Sequence, residues 1–67
     1  MRIEIGTKVE FISGAVATVV DIKVRFNRVK QEYQTNLYIV EEKTDKIESW
    51  TLSSFNEDLQ VGEVEIL

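Results

Sequence analysis

Several residue types that commonly carry chemistry are missing from this chain. It contains no cysteine and no histidine, which excludes a disulfide framework and a zinc site built from these ligands. The commonest catalytic base and the most nucleophilic side chain are missing for the same reason. The serines lie at turns or on polar faces, where hydrogen bonding to the backbone is their ordinary role. We therefore predict that the protein is not an enzyme and has no catalytic residue, no metal site and no cofactor.

Proline is also absent and only three glycines are present, so most turns must be built from Asn, Asp and Ser. Val, Ile and Thr together make up 21 of the 67 residues, whereas Ala and Leu together make up six. Because β-branched side chains favour strands over helices, this composition predicts an all-β protein. The length predicts a single domain over residues 1–67.

No apolar stretch approaches the length of a signal peptide or a membrane span, which predicts a cytoplasmic protein without membrane contact. The net charge is −4, whereas a general nucleic-acid binder usually carries a basic excess. Eight of the twelve acidic residues lie in residues 41–48 and 57–65. Such an acidic surface could bind a basic protein partner, or it could serve solubility alone.

The longest regular pattern covers residues 14–26, GAVATVVDIKVRF. Every second residue from Val16 to Phe26 is apolar or threonine, which is the period of a β-strand with one buried face. We expect this face to include Val20 and Ile22, and we expect the long strand to bend around the core. A shorter strand over residues 7–12 precedes it.

The middle of the chain is typical of two hairpins. Residues 27–31 are predicted to form the tip of the first hairpin, which continues into a strand over residues 32–43. In that strand Leu37 and Ile39 are expected in the core. A short polar turn then leads to a strand over residues 47–52.

The end of the chain breaks the alternation. Ser53 is expected to cap one short helical turn, with Phe55 closing one end of the core. A last strand over residues 63–66 is expected to pair with a first strand over residues 1–5. Together these elements predict a five- to six-stranded SH3-like small barrel with one short helical turn, and an OB-like barrel is the alternative.

The first hairpin also carries the best candidate for a binding site. Four of the eight basic residues lie within eight positions at its end, with tyrosines in the following strand. Such a tip could follow phosphates while a ring stacks on a base, or it could contact a protein. The predicted binding residues are Lys23, Arg25, Arg28, Lys30, Tyr33 and Tyr38.

Residues 11–22, FISGAVATVVDI, resemble the opening hairpin of SH3-like small barrels of the KOW type. Those hairpins often read Gly-x-x-Gly-x-Val-x-x-Ile. Here Gly14, Val19 and Ile22 fit that pattern, and Ala17 stands where the second Gly usually is. The resemblance implies the same barrel fold. It also implies a binding role, because KOW-like barrels commonly serve RNA- or transcription-associated machinery and other SH3-like barrels bind peptides or modified tails.

From these observations we predict a non-enzymatic interaction module, a small stand-alone protein of bacterial or phage type. The acidic balance favours another protein as its partner. The alternative is a weak RNA- or DNA-binding KOW-like barrel that uses the basic hairpin tip. A homodimer could also form through a sheet edge.

Overall fold

A computed structural model describes residues 3–67 and contains one antiparallel sheet of five strands and one helix. The elements are β1 (Lys8–Phe11), β2 (Val16–Asn27), β3 (Glu32–Glu41), β4 (Ile47–Thr51), α1 (Leu52–Val61) and β5 (Val64–Ile66). The strands lie across the sheet in the order β4-β3-β2-β1-β5. The predicted all-β class with one short helix is therefore confirmed. The closed barrel is not confirmed, because β4 and β5 are the two edges of the sheet throughout the described residues.

The long strand β2 contains a β-bulge. Val19 pairs with Ile39, whereas Asp21 pairs with Tyr38, the preceding residue of β3. Val20 is therefore an extra residue with no partner opposite. A bulge of this kind bends its strand and increases the local twist, so the bend expected in the long strand has a defined position.

The bulge also reverses which residues of β2 face the core. Before it, Ala17 and Val19 are buried, whereas Val20 is 42% exposed. After it, Ile22 packs against the core as a partly buried residue. The expectation that Val20 faces the core is therefore wrong, because one inserted residue moves the following side chains to the other face of a strand with a period of two. The position of Ile22 at the core agrees with the sequence pattern.

The hydrophobic core lies between the inner face of the sheet and α1. Phe55 projects from the helix and has no exposed surface, which confirms that it closes the core. Leu37 and Ile39 are buried on β3, also as expected. The buried hydrophobic residues are Val9, Ala17, Val19, Leu37, Ile39, Phe55 and Val64.

The helix is longer than the single turn expected from the sequence, and its N-cap differs. Thr51 has extended backbone angles, and its Oγ1 accepts a hydrogen bond of 3.2 Å from the backbone N–H of Ser54. Ser53, the expected cap, lies inside the helix instead. Gly62 ends the helix with φ of 79°, a left-handed conformation that favours glycine. No helix within residues 3–67 is long and apolar enough to cross a membrane.

The first strand expected over residues 1–5 is not seen where it can be checked. Residues 3–5 belong to no strand, and residues 1 and 2 lie outside the described part of the chain. Glu4 and Thr7 instead close a turn, since the backbone N–H of Thr7 donates to the Glu4 carbonyl at 3.0 Å and the backbone N–H of Glu4 donates to Thr7 Oγ1 at 2.9 Å. The last strand β5 therefore pairs with β1.

Candidate functional site

The β2–β3 hairpin extends beyond the strands that flank it. β4 pairs with β3 no farther than Asn36. On the other side β1 pairs with β2 as far as Thr18, and the Val19 backbone then bonds to residues 6 and 7. Residues 23–35, which we call the arm, are thus a two-stranded ribbon whose outer edges are not covered by another strand of the described chain.

The face of the arm that continues the core-facing side of the sheet is apolar. Phe26 and Tyr33 lie opposite each other in register, with ring centroids 5.2 Å apart in an edge-to-face arrangement. They are 52% and 75% exposed, and Val24 on the same face is 65% exposed. These three side chains lie on the same side of the sheet as the core residues, but they are exposed where the core residues are buried.

The opposite face of the arm is polar and basic. Lys23 lies at its base, with Nζ 5.4 Å from the ring centroid of Tyr38 and 3.7 Å from Asp21 Oδ2. Arg25 follows two residues later, opposite Gln34, and is exposed. Part of the positive charge on this face is therefore already engaged within the protein.

The remaining basic residues lie in the turn at the tip of the arm. Asn27 Oδ1 accepts hydrogen bonds from the backbone N–H groups of Val29 and Lys30, at 3.0 and 3.2 Å, and these bonds order the turn. The structure therefore does not bring the six predicted binding residues onto one face. Lys23, Arg25 and Tyr38 share the outer face, Tyr33 lies on the apolar face, and Arg28 and Lys30 lie in the tip.

A second candidate site is a cavity of about 330 Å³ between the inner face of the sheet and the last turns of α1. Phe11 and Trp50 stack along it, with ring centroids 5.8 Å apart and an angle of 30° between the ring planes. Ala15 and Ala17 also line it, and their short side chains leave the space open. Its volume is at the lower end of the range of roughly 300–1,000 Å³ that small-ligand pockets occupy.

Most of the polar residues that line this cavity are acidic. The four acidic residues are Glu41, Glu48, Asp58 and Glu63, Ser13 is the other polar one, and we call the cavity the acid-rimmed pocket. No lysine or arginine of residues 3–67 lines it, and the two salt bridges found in that range lie elsewhere. Trp50 Nε1 donates a hydrogen bond of 3.3 Å to Glu48 Oε2, which holds this carboxylate beside the aromatic wall. The pocket therefore offers aromatic and anionic groups to the same ligand.

The sequence alone did not reveal this pocket. Glu41 pairs with Ala17 and Glu48 pairs with Ile39, so both carboxylates start from the face of the sheet that carries the core. That placement depends on the register of the strands, which the sequence does not show. The one available signal was the concentration of acid in residues 41–48 and 57–65, since each segment supplies two of the four carboxylates.

Within residues 3–67, no group of three acidic side chains is placed so that it could hold a metal ion. Comparisons of the chain with protein-family models, with curated proteins and with solved structures found no match. The resemblance to KOW-type barrels therefore stays a prediction, and the candidate sites must be judged on their own geometry.

Proposed function

We propose that the protein is a non-enzymatic interaction module that binds another protein through the arm. The observation that supports this best is the exposed Phe26–Tyr33 pair, with Val24 beside it. Grouped apolar side chains on a protein surface often mark an interaction site, and aromatic anchors supply much of the energy at many interfaces. The uncovered strand edges of the arm add backbone groups with which an extended segment of a partner could pair.

A protein partner suits the arm better than a nucleic acid. Lys23 is already near Asp21 and Tyr38, and the apolar face carries a valine beside its aromatic pair rather than a basic residue. The net charge of −4 would also oppose the approach of a polyanion. The partner is expected in the cytoplasm, where the sequence predicts this protein to be. A second copy of the chain, joined at a sheet edge, is the competing partner.

One observation favours nucleic acid as a second candidate. Lys30 and Tyr33 line a common groove between β3 and the start of α1. A base could stack on the ring there while the ammonium group meets a phosphate. Glu32 lines the same groove and would repel that phosphate, which makes this the weaker of the two proposals.

The test uses the wild-type chain and two triple variants of it as bait in a lysate of the organism that encodes the protein. The apolar-face variant carries Val24→Thr, Phe26→Gln and Tyr33→Gln. The basic variant carries Arg25→Ala, Arg28→Ala and Lys30→Ala and leaves the apolar face intact. We expect the wild type and the basic variant to retain the same protein, and the apolar-face variant to lose it. Circular dichroism of each variant confirms that its fold is kept.

Three other outcomes would change the conclusion. Retention of RNA or DNA that falls steeply with salt, and that only the basic variant loses, would support the nucleic-acid alternative. A wild-type chain that retains nothing and elutes from a mild lysate at its monomer mass would contradict both proposals. A chain that elutes at the mass of a dimer would identify a second copy as the partner.

A further inference from the structure

We propose that the acid-rimmed pocket binds an arginine side chain of a partner protein. The pocket combines an aromatic wall, formed by Phe11 and Trp50, with carboxylates from both the sheet and the helix. Its lining shares no residue with the arm. The inference therefore goes beyond the function proposed above and does not depend on it.

The charges around the pocket favour a cation. Glu41 and Glu48 approach from the sheet, whereas Asp58 and Glu63 lie on either side of the C-terminus of α1. The last turn of α1 contains no basic residue that would offset the charge of these acids. An entering cation is therefore attracted from both walls, and an anion is repelled from both.

The spacing of the groups favours an extended organic cation over a metal ion. Within residues 3–67 no three carboxylates converge as a metal site requires, so the negative charge is spread around the rim. A ligand whose charge is also spread, and which offers several N–H donors, can reach more than one of these carboxylates. This describes a guanidinium group better than a compact ammonium group or a metal ion.

The aromatic wall leads to the same choice. A planar guanidinium packs face to face on aromatic rings, and its fork of N–H groups pairs with a carboxylate through two parallel hydrogen bonds. Glu48 is held at the edge of the Trp50 ring by the indole N–H, so one carboxylate lies beside the ring on which such a cation would stack. The alkyl stem of the arginine would cover the apolar lining at Ile12 and Ala15.

The test titrates the full chain with Nα-acetyl-arginine amide, which places the side chain in the pocket without a partner. Trp50 is the only tryptophan, so its fluorescence and its indole N–H resonance report on the pocket without overlap from another tryptophan. We expect saturable changes in both signals, with a dissociation constant on the order of 10 mM, because one side chain makes few contacts. Nα-acetyl-citrulline amide has nearly the same shape without the charge and should bind at least about tenfold more weakly.

Variants locate the binding. The double variant Glu41→Gln, Glu48→Gln should weaken arginine binding about tenfold, because each partly exposed charge pair contributes about threefold. The matched control is Glu57→Gln, which removes an exposed carboxylate of α1 that does not line the pocket. It should change the dissociation constant by no more than about twofold, because this charge acts on the ligand only at long range. The apolar-face variant of the arm should bind arginine as the wild type does, so this test succeeds or fails separately from the test of the arm. Equal binding of arginine and citrulline, equal loss in the two charge variants, or an indole resonance unmoved at about 100 mM ligand would overturn the proposal.

Discussion

Both halves of the β2–β3 hairpin place apolar side chains on the inner face of the sheet, but only one half is covered. In the half next to α1, Val19 and Ile39 point to the inner face and are buried. In the arm, Phe26 and Tyr33 point to the same face and are more than half exposed. In β3, and in β2 beyond the bulge, the alternation of apolar residues thus shows which way a side chain points. It does not show whether anything covers it, since coverage depends on where the helix and the flanking strands end.

This difference suggests that the covered half carries the stability of the fold and that the arm is available for binding. Burial in the covered half is supplied by α1 and by β1, β4 and β5. The arm lies beyond the strands that flank the covered half, and a two-stranded ribbon of that kind is marginally stable by itself. Substitutions in the two regions should therefore have very different consequences for the free energy of unfolding.

The largest effect is expected for Phe55→Ala. Removing a fully buried phenyl group leaves a cavity between α1 and the sheet and costs about 4 kcal/mol. That is close to the whole stability of a domain of this size, roughly 5 kcal/mol, so the variant should be largely unfolded at 37 °C in a thermal melt. The matched control is Phe26→Ala, which removes the same group from the arm and should cost less than about 1 kcal/mol. Equal losses in the two variants would show that the arm is as well packed as the core.

An intermediate effect is expected at the bulge, where two neighbouring valines face opposite sides. Val19→Thr places a hydroxyl in the core and should cost about 2 kcal/mol in urea unfolding, because a buried polar group without a partner keeps its desolvation penalty. Val20→Thr makes the same change on the exposed side and should stay within about 0.5 kcal/mol of the wild type. If the two valines exchanged these effects, the bulge would lie elsewhere and the face of β2 would be the one expected from strict alternation.

A smaller effect is expected at the start of α1. Thr51→Ala removes the side chain that accepts from the Ser54 N–H and should cost about 1 kcal/mol, the usual value for an N-cap. Ser53→Ala is the matched control and should change the stability by less than about 0.5 kcal/mol, because Ser53 lies inside the helix and is exposed. A larger loss of stability for Ser53→Ala than for Thr51→Ala would indicate that Ser53 is the N-cap of a shorter helical turn, as the sequence predicted.

The fold could be predicted from the sequence wherever the residue pattern allows only one choice of buried side chain. Leu37 and Ile39 share one face of a strand whose other face carries Gln34 and Asn36, and Phe55 is an aromatic residue among serines and acids, so their burial was predicted. Val19 and Val20 are both apolar, and either could face the core, so the bulge was not visible. The extra length of α1 was also missed, although Leu52, Phe55 and Leu59 have the i, i+3, i+7 spacing of one helical face.

The candidate sites were harder to read, since a site depends on which residues meet across the fold. The basic tip was recognised because its residues are neighbours in sequence. The acid-rimmed pocket joins Glu41 and Glu48 to Asp58 and Glu63 through strand register and helix packing. The exposure of Phe26 depends on the lengths of β1 and β4, which set where the covered half of the hairpin ends.

The smallest effect on global stability is expected for Asn27→Ala at the tip of the arm. Asn27 Oδ1 accepts from two turn N–H groups, and its amide nitrogen donates to Gln34 Oε1 at 3.1 Å. If the arm opens independently of the core, losing these bonds should lower the free energy of unfolding by less than about 0.5 kcal/mol. Hydrogen exchange of arm amides should nevertheless become severalfold faster, while the amides of Val19 and Ile39 keep their protection, as measured by NMR. Equal acceleration of exchange in both regions would show that the arm and the covered half open as one unit.

The arm would then contribute to the stability of the whole domain, and the division between a stable half and a binding half would have to be abandoned.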